Sequence, residues 1–120
     1  MKKLKHFEQW KYHFLYKHVY LTDNDDIMAS YTVGGYPQPS MNKSFRLEEL
    51  YIQPKFRGIG LAHILMKDII NEYGHKTIYL YVTEEDTIVD FYIGYDFRFI
   101  DKYHENRFRY MIRLKNKKLR

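Results

Sequence analysis

The sequence predicts an α+β (mixed α/β) domain, built on a central mixed sheet of about six strands flanked by helices. Several short runs rich in β-branched and aromatic residues alternate apolar and polar side chains, as strands do. Residues 60–73 instead repeat their apolar side chains at the 3.6-residue period of a helix. This helix lies between strand-like runs at 44–52 and 77–83, which predicts a right-handed βαβ crossover with two parallel strands.

The N-terminal part is predicted to contribute a helix and a hairpin. Residues 3–14 read as an amphipathic helix because large apolar side chains recur at helical spacing. The side chains that define this stripe are Leu4, Phe7, Trp10 and Phe14. Residues 18–23 and 27–36 then read as two strands joined by the turn "DNDD" at 23–26.

The C-terminal part is predicted to contain one further helix and a hairpin. Gly74 is a natural stop for the 60–73 helix. Residues 84–94 begin with acidic side chains, which a helix N-terminus favours. Residues 96–103 and 107–115 alternate apolar and charged side chains and read as a closing antiparallel hairpin. The predicted order is therefore α-ββ-β-α-β-α-ββ.

Length and composition predict a single domain spanning 1–120, with a basic tail at 115–120. Apolar residues make up 45% and aromatic residues 18% of the chain, which excludes a disordered protein. The absence of cysteine excludes disulfides, thiolate metal sites and a cysteine nucleophile, and it fits a reducing cytoplasm. We find no signal peptide and no apolar run near the ~20 residues of a membrane span.

The formal net charge of +5 raises the alternative of a nucleic-acid-binding α+β protein. The positive excess is concentrated at the two ends, in "KKLKH" and "RLKNKKLR". Acidic clusters interrupt the middle at 23–26, 48–49 and 84–86. This distribution favours solvated basic ends over a continuous nucleic-acid surface.

The segment "RGIG" at 57–60 joins the 44–52 strand to the 60–73 helix and is suited to hold a phosphate. Glycines allow the backbone to approach a ligand closely, and the first N–H groups of a helix are unpaired and carry partial positive charge. Lys55 and Arg57 add full positive charges. The dinucleotide motif G-x-G-x-x-G fails because His63 stands at its third glycine, and the P-loop motif has no match. The alternative is a plain strand-to-helix turn with basic surface residues.

Two segments at the right separation resemble the GNAT N-acetyltransferase superfamily. "RGIGLA" at 57–62 is similar to the signature Q/R-x-x-G-x-G/A of that family. "EDTIVDFYIGYDF" at 85–97 is similar to N-x-x-A-x-x-F-Y-x-x-x-G-F, with Asp96 at the usual glycine. The first segment looks somewhat like the small-amine and polyamine acetyltransferase branch. The family usually begins with a strand and a helix before the helix predicted at 3–14, so this chain is expected to have an abridged N-terminal side.

The resemblance implies acetyl-CoA as co-substrate and implies where it binds. Backbone groups at the end of the 44–52 strand would bond the pantetheine arm, and the N–H groups of 58–63 with Arg57 would hold the pyrophosphate. Glu85 stands where the second signature has asparagine. The expected CoA-binding residues are Leu50, Tyr51, Ile52, Arg57, Gly58, Ile59, Gly60, Leu61, Ala62, His63 and Glu85.

The resemblance also nominates catalytic residues. Tyr92 is the candidate general acid for the departing thiolate, and its alternative role is a core aromatic. Glu48 or Glu49 could act as a base or attract a cationic amine, or both could be ordinary surface carboxylates. As neighbours on one strand they should face opposite sides of the sheet, and Glu48 is preferred for the acceptor side. The six histidines show no metal-ligand spacing, so we expect no metal.

The sequence therefore predicts an enzyme, an acetyl-CoA-dependent N-acetyltransferase. It would transfer an acetyl group to a primary amine of a small molecule or peptide by direct attack in a ternary complex, since no cysteine is available as a relay. The alternative is a degenerate GNAT-like module that binds CoA or a protein without catalysis. An abridged N-terminal side would leave apolar surface to cover, so we also expect a homodimer.

Overall fold

Seven strands and two α-helices make up the part of the chain that the structure describes. The structure, a computed structural model, describes residues 1–10, 13–35, 44–83, 86–105 and 108–115. The strands are β1 (Lys2–Trp10), β2 (His13–Leu21), β3 (Ile27–Gly35), β4 (Ser44–Ile52), β5 (Thr77–Thr83), β6 (Arg98–Glu105) and β7 (Phe108–Arg113). The helices are α1 (Leu61–Tyr73) and α2 (Val89–Gly94), and a short 3-10 turn, Pro54–Phe56, precedes α1.

All seven strands belong to one mixed sheet, which confirms the predicted fold class with seven strands where about six were expected. The strand order is β1-β2-β3-β4-β5-β7-β6. β4 and β5 are parallel, and every other neighbouring pair is antiparallel. No helix in the described part of the chain is long and apolar enough to cross a membrane.

α1 covers one face of the sheet with the apolar stripe that its sequence predicts. Its buried residues are Leu61, Leu65, Met66, Ile69, Ile70 and Tyr73. All of these except Leu61 pack against the side chains of the central strands in one core cluster that includes Val33, Phe45 and Ile78. The βαβ unit predicted from the sequence is therefore confirmed, and it fixes the N-terminus of α1 near the end of β4.

α2 lies on the same face as α1. β5 and β6 are both antiparallel to β7, so they run parallel to each other. The usual right-handed crossover then places α2 beside α1. The Nδ1 atom of His63 in α1 lies 2.7 Å from the hydroxyl of Tyr95, immediately after α2, which ties the two helices together.

The predicted helix over residues 3–14 is wrong, because this segment forms β1 and the start of β2. β1 pairs with β2 at every position from Lys2 to Trp10. Leu4 pairs with Val19 and Phe7 pairs with Tyr16, so the two apolar residues face opposite sides of the sheet. Pairing with a neighbouring strand has overridden an apolar spacing that also suits a helix.

The predicted helix over 84–94 is shorter in the structure. The side chain of Asp86 accepts a hydrogen bond from the Thr83 backbone at 2.9 Å, and the Asp86 backbone N–H donates back to the Thr83 carbonyl at 3.1 Å. This turn delays the helix until Val89. Residues 84–85 lie outside the described part of the chain.

A buried polar cluster lies between β2 and α1. The Nε2 atom of His18 lies 2.6 Å from the Tyr73 hydroxyl, and its ring stacks on Tyr31 at 4.3 Å between centroids. Burial lowers the pKa of His18 and outweighs the opposing effect of Glu72, 3.8 Å away. His18 is therefore held as a neutral imidazole.

We predict that the free energy of unfolding falls as the pH is lowered from about 6.5 toward 5. The unfolded state binds a proton at His18 more readily than the folded state, so acid favours unfolding. Urea unfolding across this range should show a shallower pH dependence in His18→Asn than in the wild type. The exposed His6→Asn variant is the control for loss of an imidazole. An unchanged slope in His18→Asn would contradict the assignment.

Candidate active site

β4 and β5 separate after a short stretch of parallel pairing. They pair only where Ser44–Arg46 faces residues 77–79. Beyond this point β4 continues along β3 to Ile52, while β5 continues along β7 to Thr83. Within the described residues, the facing backbone edges of β4 and β5 then have no strand between them. We call this opening the slot.

The pairing of β4 with β3 decides which backbone groups face the slot. The N–H of Gln53 donates to Met28 of β3 at 2.9 Å. Because successive residues of a strand direct their backbone groups to alternate edges, Tyr51 also faces β3, and Leu50 and Ile52 face the slot. Leu50 and Ile52 are thus the members of the predicted 50–52 trio that offer backbone groups to a ligand in the slot.

The glycine turn at the end of β4 leaves the N-terminus of α1 open. Gly58 and Gly60 have φ angles of 82° and 86°, a left-handed conformation that disfavours other residues. A Cβ atom at either glycine would meet no atom within 4 Å. The N-cap, Gly60, has no side chain to cap the helix, and the first helical bond runs from Ile64 to its carbonyl. The N–H groups of residues 61–63 are therefore available to an anion.

Side chains of the turn tie it to its surroundings. The Nε atom of Arg57 donates to the Ile52 carbonyl at 2.9 Å, so this guanidinium bridges the turn and the end of β4. His63 is exposed in the first turn of α1, and its Nδ1 is engaged with the Tyr95 hydroxyl. The exposed Ile59 projects from between the two glycines, whereas Leu61 is buried and Ala62 half-buried.

A β-bulge in β4 changes the orientation expected for the two glutamates. Val33 of β3 pairs with Leu47 and Thr32 pairs with Glu49, so Glu48 is the extra residue. A Cβ atom on Gly34 would lie 2.9 Å from the Glu48 carboxylate, which places that carboxylate on the sheet face opposite α1. Glu49 lies on the same face, because it pairs with Thr32, the neighbour of Tyr31, and Tyr31 is on the α1 face. The expectation that the two face opposite sides is wrong, because it assumed strict alternation.

Glu48 lies beside a cavity at the narrow end of the slot. Its carboxylate pairs with Arg46, whose Nε donates at 3.0 Å. Burial disfavours the charge of Arg46, but bonding to Glu48 and Tyr81 outweighs it, so the pKa of Arg46 is raised. The cavity measures about 310 Å³. Its lining residues are His13, Phe14, Leu15, Gly35, Arg46, Glu48 and Tyr79. Arg46 and Tyr79 are also the last paired residues of β4 and β5, so the cavity adjoins the slot.

Tyr92 belongs to α2 and lies in the core. The residue is 7% exposed, and its ring packs against Phe91 and Phe97, with centroids 5.8 and 5.5 Å away. Burial, followed by the charge of Asp86, raises the pKa of Tyr92 to about 12. The phenol is therefore protonated at neutral pH. Its role as a general acid stays a prediction.

Arg46 and Tyr79, which line the cavity together with the predicted Glu48, were not predicted as site residues from the sequence. Arg46 and Glu48 are two residues apart on β4, and Tyr79 and Tyr81 are two apart on β5, a spacing that places each pair on one face. The guanidinium of Arg46 lies 5.7 Å from the centre of the Tyr81 ring. That spacing was the available signal. Glu85, the remaining predicted CoA contact, lies outside the described residues.

Several solved structures share this fold. Ard1 from Thermoplasma volcanium has a TM-score of 0.66 at 17% identity, covering 84% of this chain and 71% of that one. PaiA N-acetyltransferase from Thermoplasma acidophilum has a TM-score of 0.60 at 14% identity, covering 86% and 61%. Naa50 from Arabidopsis thaliana has a TM-score of 0.58 at 22% identity, covering 82% and 70%. At these identities the likeness establishes the fold, and this chain spans only part of each neighbour.

The backbone after α2 explains how Asp96 can replace the glycine of the second signature. Asp96, at the position where the signature has glycine, has a φ angle of 71° and is buried. Aspartate is one of the few residues that tolerate this conformation.

No curated protein matches the sequence. A family model described as "Acetyltransferase (GNAT) domain" matches residues 3–115. The chain therefore belongs to the GNAT acetyltransferase family.

Proposed function

We propose that the protein is an acetyl-CoA-dependent N-acetyltransferase that acetylates a primary amine of a small molecule or peptide. The observation that carries the proposal is the slot between β4 and β5, which opens beside the uncapped N-terminus of α1. A ligand that suits both must combine an extended chain bearing amides with an anionic group. The pantetheine arm and pyrophosphate of CoA have this combination.

Backbone groups supply most of the binding. The amides of the pantetheine arm would pair with Leu50 and Ile52 as a short added strand. The pyrophosphate would lie on the N–H groups of residues 58–63, where the helix dipole favours negative charge. Gly58 and Gly60 leave the space that a close approach of phosphate oxygens needs. Arg57 contributes positive charge from its position between the turn and β4.

The cavity beside Glu48 is the proposed acceptor site. It adjoins the narrow end of the slot, where the thioester would lie if the pyrophosphate is held at α1. Its aromatic walls and the Glu48 carboxylate suit a cationic amine, whose proton Glu48 would accept directly or through water. The amine nitrogen then bonds to the thioester carbonyl carbon while a β4 backbone N–H near the bulge polarises the carbonyl oxygen.

Cleavage of the carbon–sulfur bond releases a thiolate that must be protonated. Tyr92 is the proposed donor, because it matches the tyrosine of the second family signature and its phenol is protonated at neutral pH. The cationic amine thus loses one proton to Glu48 before attack and a second when the amide forms. The thiolate gains its proton from the phenol of Tyr92, and the second amine proton restores that phenol. Holding both reactants together supplies much of the acceleration.

Two of the structural neighbours support this choice of ligand. The PaiA structure is described as a complex with coenzyme A, and the Naa50 structure as a complex with the bisubstrate analogue CoA-Ac-MVNAL. These descriptions apply to those proteins. Together with the family assignment, they make CoA the first ligand to test on this chain.

Acetyl-CoA in excess should raise the melting temperature of the protein, and adding a suitable amine from a panel should release free thiol.

Gly60→Val should weaken CoA binding at least tenfold by calorimetry, because the valine side chain would be strained at this φ and would occupy the space proposed for the pyrophosphate. Gly94→Val, at an open glycine without a positive φ, should retain affinity. Absence of binding would reject the proposal, and binding without turnover would indicate a degenerate module.

Tyr92→Phe tests the general acid. The ring is buried against Phe91 and Phe97, so removing one oxygen should preserve the fold. We expect kcat to fall roughly 100-fold while the Kd for CoA is unchanged, the pattern of a lost proton donor. Phe91→Leu is the control for altered packing. Wild-type turnover in Tyr92→Phe would remove the residue from the mechanism.

Glu48→Gln and Glu49→Gln form a matched pair, since both carboxylates lie on one face and Glu48 alone borders the cavity. We predict that kcat/KM for the amine falls about 10- to 100-fold in Glu48→Gln and less than threefold in Glu49→Gln. Steady-state thiol release measures both. The reverse ranking would assign the acceptor side to Glu49.

A further inference from the structure

β1 is an exposed edge of the sheet. It is the terminal strand in the sheet order and pairs with β2 alone among the described strands. All of residues 2–9 are exposed, including Leu4 at 59% and Phe7 at 47%. A long edge strand with exposed apolar side chains is a template for pairing with another strand.

The lysines that would normally protect such an edge are engaged elsewhere. The Nζ atom of Lys3 lies 3.0 Å from the Asp68 carboxylate, and Lys5 pairs with Glu72. Both acidic partners are on α1, so these two side chains lean over the sheet toward the helix. Their charges are thereby offset within the chain, and they oppose a neighbouring strand less than free lysines would.

The sequence of β1 is complementary to itself in one antiparallel register. Suppose that a two-fold axis perpendicular to the sheet relates the two copies. Directly opposed side chains of an antiparallel pair lie on the same face, so one residue of β1 must be paired with the same residue of the second copy. An axis at Phe7 pairs the two phenylalanines and places His6 opposite Glu8 of the second copy, twice. Within each chain His6 Nε2 already lies 3.1 Å from the Glu8 carboxylate, so this register brings the two His6–Glu8 pairs together. In the same register Lys5 faces an uncharged glutamine, Gln9.

The neighbouring registers lack this complementarity. An axis at Lys5 sets two lysines opposite each other, and an axis at Glu8 sets two glutamates opposite each other. An axis at His6 pairs two histidines and leaves Glu8 facing Leu4. Like charges in directly opposed positions destabilise a strand pair. The charges therefore select the register centred on Phe7.

We propose that β1 pairs with β1 of a second copy of this chain, antiparallel and centred on Phe7, so that one sheet runs through a homodimer. The contact covers the exposed faces of Leu4 and Phe7 and joins the two unpaired backbone edges. The proposal stands independently of the acetyl-transfer chemistry, because β1 contributes nothing to the slot.

Cysteine cross-linking tests the register, since the chain has no cysteine of its own. Phe7→Cys should form a covalent dimer under mild oxidation, because directly opposed residues have Cα atoms about 4.5–5.5 Å apart, within disulfide range. Leu4→Cys is the matched exposed control. In this register its two copies are about 20 Å apart, six residues along the strand pair, and should not cross-link. Equal cross-linking of the two variants, or none in Phe7→Cys, would overturn the proposal.

Charge reversal provides a test without altering Phe7. Glu8→Lys removes the carboxylate opposite His6 at two symmetric positions and should raise the dimer Kd roughly tenfold in sedimentation equilibrium. The double variant His6→Glu/Glu8→Lys places opposite charges at these positions and should return the Kd at least to its wild-type value. A wild-type chain that is monomeric at every soluble concentration, or a double variant no better than Glu8→Lys, would refute the interface.

Discussion

The separation of β4 and β5 is the constraint on which the site depends. The two strands share three residue pairs, whereas β4 shares six with β3 and β5 shares six with β7. Each strand is therefore held by its other neighbour, and the edges between them diverge without loss of those hydrogen bonds. The bulge at Glu48 lies just past the point of separation. A bulge increases local twist, which is consistent with β4 turning away from β5 there.

Several features of the molecule follow from this separation. The end of β4 leads through a two-glycine turn into α1, so the helix N-terminus opens beside the wide end of the slot. At the narrow end, Arg46 and Tyr79 close the slot and border the cavity that also holds Glu48. One ligand lying along the slot would thus reach an anion site at one end and the proposed acceptor cavity at the other.

Sequence reasoning succeeded where local patterns and tertiary structure agree. The apolar stripe of α1, the alternation in β3 to β7 and the glycine turn each carry a local signal that the structure confirms. It failed at residues 3–14, where Leu4 and Phe7 have helical spacing but pairing with β2 decides the outcome. It also failed to foresee the bulge, because an extra residue in one strand is determined by the register with its partner. The orientation of Glu49 and the cavity wall at Arg46 followed from that register.

The N-terminal side differs from what the family resemblance implied. A strand, β1, is present, and it is separated from β2 only by residues 11–12; the described residues before α1 contain no α-helix. The described part of the proposed acceptor cavity is consequently built from residues of the sheet strands, including the start of β2. An acceptor site of this kind would owe its selectivity to a few strand residues, above all Arg46 and Glu48.

The central proposal for this chain is that CoA lies in the slot with its pyrophosphate on α1. Amide hydrogen exchange with and without acetyl-CoA, resolved to single residues, tests this most directly. Acetyl-CoA should slow exchange at Leu50 and Ile52 and across residues 58–63, while Tyr51, whose N–H is directed to β3, should change least among the three neighbours in β4. Protection confined to another part of the molecule, or none at saturating acetyl-CoA, would contradict this placement of CoA.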